Sequence, residues 1–307
     1  MPLTREQLET IVATALPGEK LREYRELPRN RVALSLVSGE KLDLHMFADR
    51  DAATTAVTAI RRLRGEVDLP LPVLRASDAT GDLTGQPCLL AEPLAGEPLD
   101  QCLPRMNDEH LNEIGRRLGE IAYRIHRLAC ETYGALGNTD VITTEREYGL
   151  ARLNYGIQQA QAFGLLDEQQ AAELLEWFDE RFLPIGTQAA LTCGGFALNT
   201  ILVRQGRENW SISGILGWEQ SLGWAPAWDH TIFLETARSA ACFALRVGYG
   251  NTYDELTPRT YEQVREGILR PYRMLLALDR VIIAHRAGDV NERERNRRIL
   301  GALVRLT

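Results

Sequence analysis

Apolar residues near the start of the chain fall at Leu8, Ile11, Val12 and Ala15, the spacing of an amphipathic helix. Thr4 followed by Gln7 has the pattern of a capping box at its beginning. The next stretch, RVALSLVSGEKLDLHMF, alternates apolar and polar residues on both sides of Ser38-Gly39, which predicts a half-buried β-hairpin. A helix over AATTAVTAIRRLRG and a loop over VDLPLPVL follow. The segment QPCLLAEPLAGEPLDQCL opens as a buried strand and is then broken by Pro93, Gly96 and Pro98. That break is the expected hinge between a small strand-rich lobe and a larger helical one.

From Asn107 onward the period changes to three or four residues, with Leu111, Ile114, Leu118, Ile121, Ile125 and Leu128 on one face. A second such helix is predicted from about Glu168 to Phe182. After the loop LTCGGFALNTILV comes another hairpin, NTILVRQGRENWSISGILGWEQ, turning at Gly206. The remainder reads as helical, with Pro271 expected to separate VREGIL from YRMLLALDRVIIAH, and with a last arginine-rich helix, NERERNRRILGALVRL. No repeat or low-complexity linker is visible.

The 307 residues suffice for one large domain or two lobes, and 45% hydrophobic with 25% charged residues is ordinary globular composition. No apolar run is long enough to cross a bilayer, and the N-terminal stretch, interrupted by charges, does not read as a signal peptide. Five scattered cysteines without a CxxC pair suggest reduced thiols and a cytoplasmic protein. A net charge of -7 argues against a nucleic-acid partner. The 35 basic residues include only Lys20 and Lys41 as lysines, so a mechanism that needs a buried lysine has two candidates.

Taken in order, the hinge CLLAEPLAGEPLD, the helix LGEIAYRIHRL followed by YGALG, the loop LTCGGFALNTILV, the strand end ISGILGWEQ and PAWDHT resemble the aminoglycoside phosphotransferase and choline kinase-like family, relatives of the protein kinases. The resemblance implies an α+β, bilobal kinase-like fold: a small antiparallel-sheet lobe over residues 1–92 and a mainly helical lobe over 93–307. It also implies ATP-dependent phosphoryl transfer assisted by magnesium, for which positioning and charge neutralisation do most of the work.

Against that family pattern the chemistry is depleted. The family loop, approximately His-Gly-Asp and four residues to Asn, becomes Cys193-Gly194-Gly195 with Asn199 kept, so the catalytic acid is replaced by Gly195. The metal-holding acid falls at Gly217, before Trp218 and Glu219. The phosphate-clamping lysine or arginine of the third strand falls at His45, a poor clamp because an unshifted imidazole is mostly neutral at pH 7. No acid lies between Asp51 and Glu66 to partner it, and ELPRNRVALSL has no glycine to approach phosphates. By the resemblance His45, Ala91, Glu92 and Leu94 stand at nucleotide-site positions, and Gly195 and Gly217 are expected to face each other across the cleft.

Each retained residue has a structural reading beside the functional one. Asn199 bonds nearby backbone or ligates a metal. Asp229 braces the loop, Glu219 is solvated or a ligand, and His126 is a satisfied core histidine. Cys193, Phe196, Trp218, Trp224 and Trp228 either pack a core or line a ligand cleft, as aromatics can for a cationic or aromatic molecule.

The expectation is therefore a catalytically impaired phosphotransferase-like protein, a pseudokinase, that binds an unknown partner protein, peptide or small molecule. No metal site and no cofactor are expected. The alternative is a divergent small-molecule phosphotransferase that uses ATP and magnesium through relocated Asn199, Glu219 and Asp229; a third reading is a structural subunit whose cleft is filled by its own side chains.

Overall fold

In the computed structural model, residues 3–28, 30–69, 71–83, 85–137, 141–184, 188–257 and 267–305 are described. The elements in chain order are α1 (Arg5–Ala15), β1 (Leu21–Leu27), β2 (Arg31–Leu36), β3 (Lys41–Met46), α2 (Arg50–Leu63), β4 (Leu74–Asp78), β5 (Cys88–Ala91), β6 (Glu97–Pro98), α3 (Leu99–Cys102) and α4 (Asp108–His126). They continue with β7 (Ala129–Cys130), β8 (Gly134–Ala135), α5 (Glu145–Ala162), α6 (Glu168–Arg181), β9 (Ala189–Thr192), β10 (Ile201–Gln205), β11 (Trp210–Ile215) and β12 (Leu222–Trp224). Among the described residues, four helices follow: α7 (Ala227–Thr236), α8 (Phe243–Leu256), α9 (Leu269–Arg286) and α10 (Val290–Arg305). The fold is α+β, with an antiparallel-sheet N-terminal region and a helical C-terminal region.

The chain forms two compact units: residues 1–110, 135–139 and 193–222 make the first, and 111–134, 140–192 and 223–307 the second. In the first, a five-stranded sheet runs in the order β1-β2-β3-β5-β4. Alternation sorts its side chains. Val32, Leu34 and Leu36 of β2 with Leu42 and Leu44 of β3 meet Leu8, Ile11 and Val12 of α1 in one apolar cluster. The opposite face carries Arg31, Ala33 and Ser35 paired across to His45, Asp43 and Lys41. α1 starts with the expected capping box, in which Thr4 and Gln7 exchange side-chain to backbone bonds. The hairpin β10-β11 and the short β6 form a second, three-stranded sheet of the same unit.

Three elements depart from the periodicity reading. β1, LREYREL, is an edge strand exposed from Arg22 to Glu26, so charge on both faces hides its period, and β4 is a short strand beside the proline-rich loop. α5 is invisible to an apolar template because it buries Gly149, Gly156 and Ala160 beside Leu153 and Ile157. Pro271 does not separate two helices. It stands in the first turn of α9, where its missing N–H has no intrahelical partner to lose. Residues 264–266 of the expected VREGIL helix lie outside the described residues.

In the second unit α9 packs against α5, α7 and α10, burying Tyr272, Met274, Leu275, Leu278 and Val281. α4 and α8 cross with their backbones in contact: a Cβ on Gly115 would stand 2.2 Å from the Leu245 carbonyl oxygen, and one on Gly248 2.2 Å from that of Asn112. Among the described residues no helix is long and apolar enough to cross a membrane.

Candidate functional site

The loop after β9 and the turn after β11 both belong to the first unit, and they meet backbone to backbone. A Cβ on Gly195 would lie 3.0 Å from the Gly217 carbonyl oxygen, 3.1 Å from that of Leu216 and 3.2 Å from the Gly217 Cα. Gly217 has φ of +90°, a conformation that side chains disfavour, and its own Cβ would be 3.4 Å from the Gly195 Cα. Glycine suits both positions for a local reason: a side chain at 195 would crowd two carbonyl oxygens, and the left-handed backbone at 217 disfavours one.

The contact is tied by hydrogen bonds. Thr200 Oγ1 donates to the carbonyl oxygens of Gly195 and Ala197, and accepts from the Ala197 amide at 3.1 Å. The Gly217 carbonyl accepts from the Gln220 amide at 3.0 Å, and Ser221 Oγ donates to the Cys193 carbonyl at 3.2 Å. Trp218 turns inward and donates from Nε1 to the Ile215 carbonyl at 2.8 Å. α2 packs on the single turn Trp218–Gln220. These loop carbonyls are engaged within the fold, and Mg²⁺ wants charged oxygens in octahedral array. Among the described residues no group of three or more His, Cys, Asp and Glu is placed to hold a metal ion.

Beside these loops, and lined by residues of the first unit throughout, lies a cleft of about 880 Å³. Asn199 and Leu94 reach its wall. So do Arg31 and Asp43, whose side chains form an ion pair and are 15% and 5% exposed. Sequence reasoning passed over this pair; the signal was the charged alternate positions of β2 and β3, which share the face away from α1.

His45 lies on that face one residue pair along from Asp43 and opposite Leu89, while Ala91 pairs with Asp43. Burial, reinforced by the Arg31 charge, lowers the His45 pKa to about 3, so the imidazole is neutral across the physiological range. The folded value is below the unfolded one of about 6.5, so the unfolded chain binds the extra proton as pH falls. Stability should therefore drop by up to about 2 kcal/mol between pH 6.5 and pH 5 through this group. Urea unfolding of wild type and His45→Gln across that interval checks it: the variant should show the shallower loss.

Cys193, Phe196 and Trp218 are buried in the first unit, at 0%, 0% and 2% exposure, and none lines the cleft. Trp224 and Trp228 belong to the second unit and are also buried; their rings lie 4.9 Å apart, with the Arg152 guanidinium 4.5 Å from the Trp228 centroid. Glu219 is partly buried beside Trp218. Asp229, fully buried in the second unit, bonds His126 Nε2 at 3.1 Å, and the other ring nitrogen of His126 meets the Tyr253 hydroxyl at 2.9 Å. Asn199 is exposed.

The model of the phosphotransferase enzyme family matches residues 41–266, well over half of the chain. The chain belongs to this family. Solved structures share the fold: a protein of Ralstonia eutropha JMP134 superposes with a TM-score of 0.71 over 99% of this chain and 98% of its own, at 15% identity. The GDP complex of aminoglycoside 2'-phosphotransferase-IIIa gives 0.70 over 98% and 99%, also at 15% identity. The aminoglycoside phosphotransferase APH(4)-Ia, in a ternary complex with ADP and hygromycin B, gives 0.68 over 97% and 98% at 15% identity. No curated protein matches the chain.

Proposed function

We propose that this family member has given up phosphoryl transfer and works as a cytoplasmic binding protein, a pseudokinase without a metal or nucleotide cofactor, whose ligand occupies the cleft of the first unit. The carrying observation is the close approach of Gly195 to Gly217, where a side chain at 195 would crowd two carbonyl oxygens and one at 217 would strain a left-handed backbone. The neutral His45 and the buried Asp43 support the same reading, since neither can neutralise phosphate on the face of β3. Loss of a general base alone costs roughly 10²- to 10⁴-fold in rate, and loss of metal assistance adds to that. The five buried cysteine thiols are compatible with a reducing compartment.

Melting temperature with and without ATP and magnesium tests the reading. A ligand at about 100 times its Kd would stabilise the fold by roughly 2.7 kcal/mol, which is readily seen as a rise in Tm. No rise is expected at millimolar ATP with magnesium; a clear one would restore the nucleotide site.

A further inference from the structure

The cleft of the first unit has two unlike walls. One is apolar, made by Leu94, Leu202, Leu216 and the prolines of the segment 93–98. The other is the face of β1-β2-β3 turned away from α1, where strand register fixes the order of charges. Arg25, Ala33 and Asp43 lie in one row across the three strands, and Leu27, Arg31 and His45 in the next. Ala33, the small residue of its row, leaves the floor open between Arg25 and Asp43.

Within this wall Arg31 gives its Nη2 to Asp43 Oδ2, while its Nε is buried and has no hydrogen-bond partner. A buried donor left unmatched costs stability unless something occupies it. Asp43 is engaged at one oxygen by this bond, which leaves Oδ1 as an acceptor at its side. Arg31 and Asp43 both line the cleft, so a guanidinium and a carboxylate stand next to each other in its wall. Over the whole lining the charges cancel: Arg25, Arg31 and Lys41 against Glu23, Asp43 and Asp100. A polyanion finds no net positive wall, and a simple cation meets Arg25 and Arg31.

We infer that the cleft takes a small organic zwitterion, a protonated amine and a carboxylate carried on an apolar body, with the carboxylate at Arg31 and the amine at Asp43. This rests on the reading that nucleotide transfer has been lost, and it names the ligand class of that same cleft. The ligand brings no net charge, matches both members of the pair, and lays its apolar body on Leu94, Leu202 and Leu216. A volume of about 880 Å³ lies within the usual range for small-molecule sites and admits a body as large as an aromatic or branched side chain.

The test is calorimetric titration of the full chain with each of the protein amino acids singly, and with ATP and magnesium in parallel. Amino acids with large apolar side chains should bind. N-acetylation or amidation, each of which removes one charge, should weaken binding about tenfold or more, the scale of a hydrogen bond to a charged group. Asp43→Asn should abolish binding. Because an unpaired Arg31 could unfold that variant, Arg31→Met combined with Asp43→Leu is the second arm, an apolar replacement that buried ion pairs tolerate. It should keep a cooperative melt and lose the ligand. Binding that survives in the folded double variant, or that ignores acetylation and amidation, overturns the proposal. Silence from every amino acid overturns it too, while silence from ATP in the same series leaves the loss of transfer standing. ATP binding with turnover overturns both.

Discussion

Restoring the two acids by Gly195→Asp and Gly217→Asp is expected to destabilise the protein and to yield no phosphotransferase activity. At position 195 the new Cβ alone would lie 3.0–3.1 Å from two carbonyl oxygens, and the carboxylate would add like-charged oxygen in a buried place. At position 217 the backbone sits at φ of +90°, which costs a side chain roughly 1–3 kcal/mol in strain. Forced packing at position 195 adds about 1–3 kcal/mol. The pair should therefore lose on the order of 2–6 kcal/mol in urea unfolding, with the loss divided between the two single variants. A stable double variant would mean that the loops can part, and the account of why glycine stands there would fail.

The second large effect belongs to the core of the second unit. Asp229→Ala should cost about 3–5 kcal/mol, the usual consequence of removing one member of a buried polar pair. Asp229 is fully buried and bonds His126, whose ring in turn meets Tyr253, while His230 packs edge-on to His126 at 5.4 Å. The alanine would leave the buried His126 Nε2 without its carboxylate partner. Asp229→Asn keeps the shape and an acceptor and should cost less. Equilibrium unfolding of both variants decides it; an alanine variant as stable as wild type would show that Asp229 is not part of the core.

Much of the fold was legible because its amphipathic elements are strongly patterned. The capping box at Thr4, the β2-β3 alternation about Ser38-Gly39 and the face of α4 from Leu111 to Ile125 all follow from spacing alone. α5 was not legible, since Gly149, Gly156 and Ala160 interrupt its buried face beside Leu153 and Ile157, and small residues give no hydrophobic period. At the site, the replacement of two acids by glycine could be read from the resemblance. What could not be read was that the glycines touch, because backbone contact between loops 22 residues apart in sequence leaves no trace in composition. The aromatic cluster misled for a related reason: Trp218, Trp224 and Trp228 are near in sequence but divide between two units, and each is buried. The Arg31–Asp43 pair was hidden in plain alternation, since charged residues on a strand face ordinarily signal solvent rather than a cleft wall.

The measurement that bears most directly on lost phosphoryl transfer is phosphate release from ATP in the presence of magnesium, compared with an Ala33→Trp variant in which the indole fills the cleft. Ala33 lines that cleft between Arg25 and Asp43, so the variant fills the site from the β2 side and leaves both glycines in place. The expected result is equal, background rates for the two proteins. Turnover by the wild type that disappears in the Ala33→Trp variant would contradict the account.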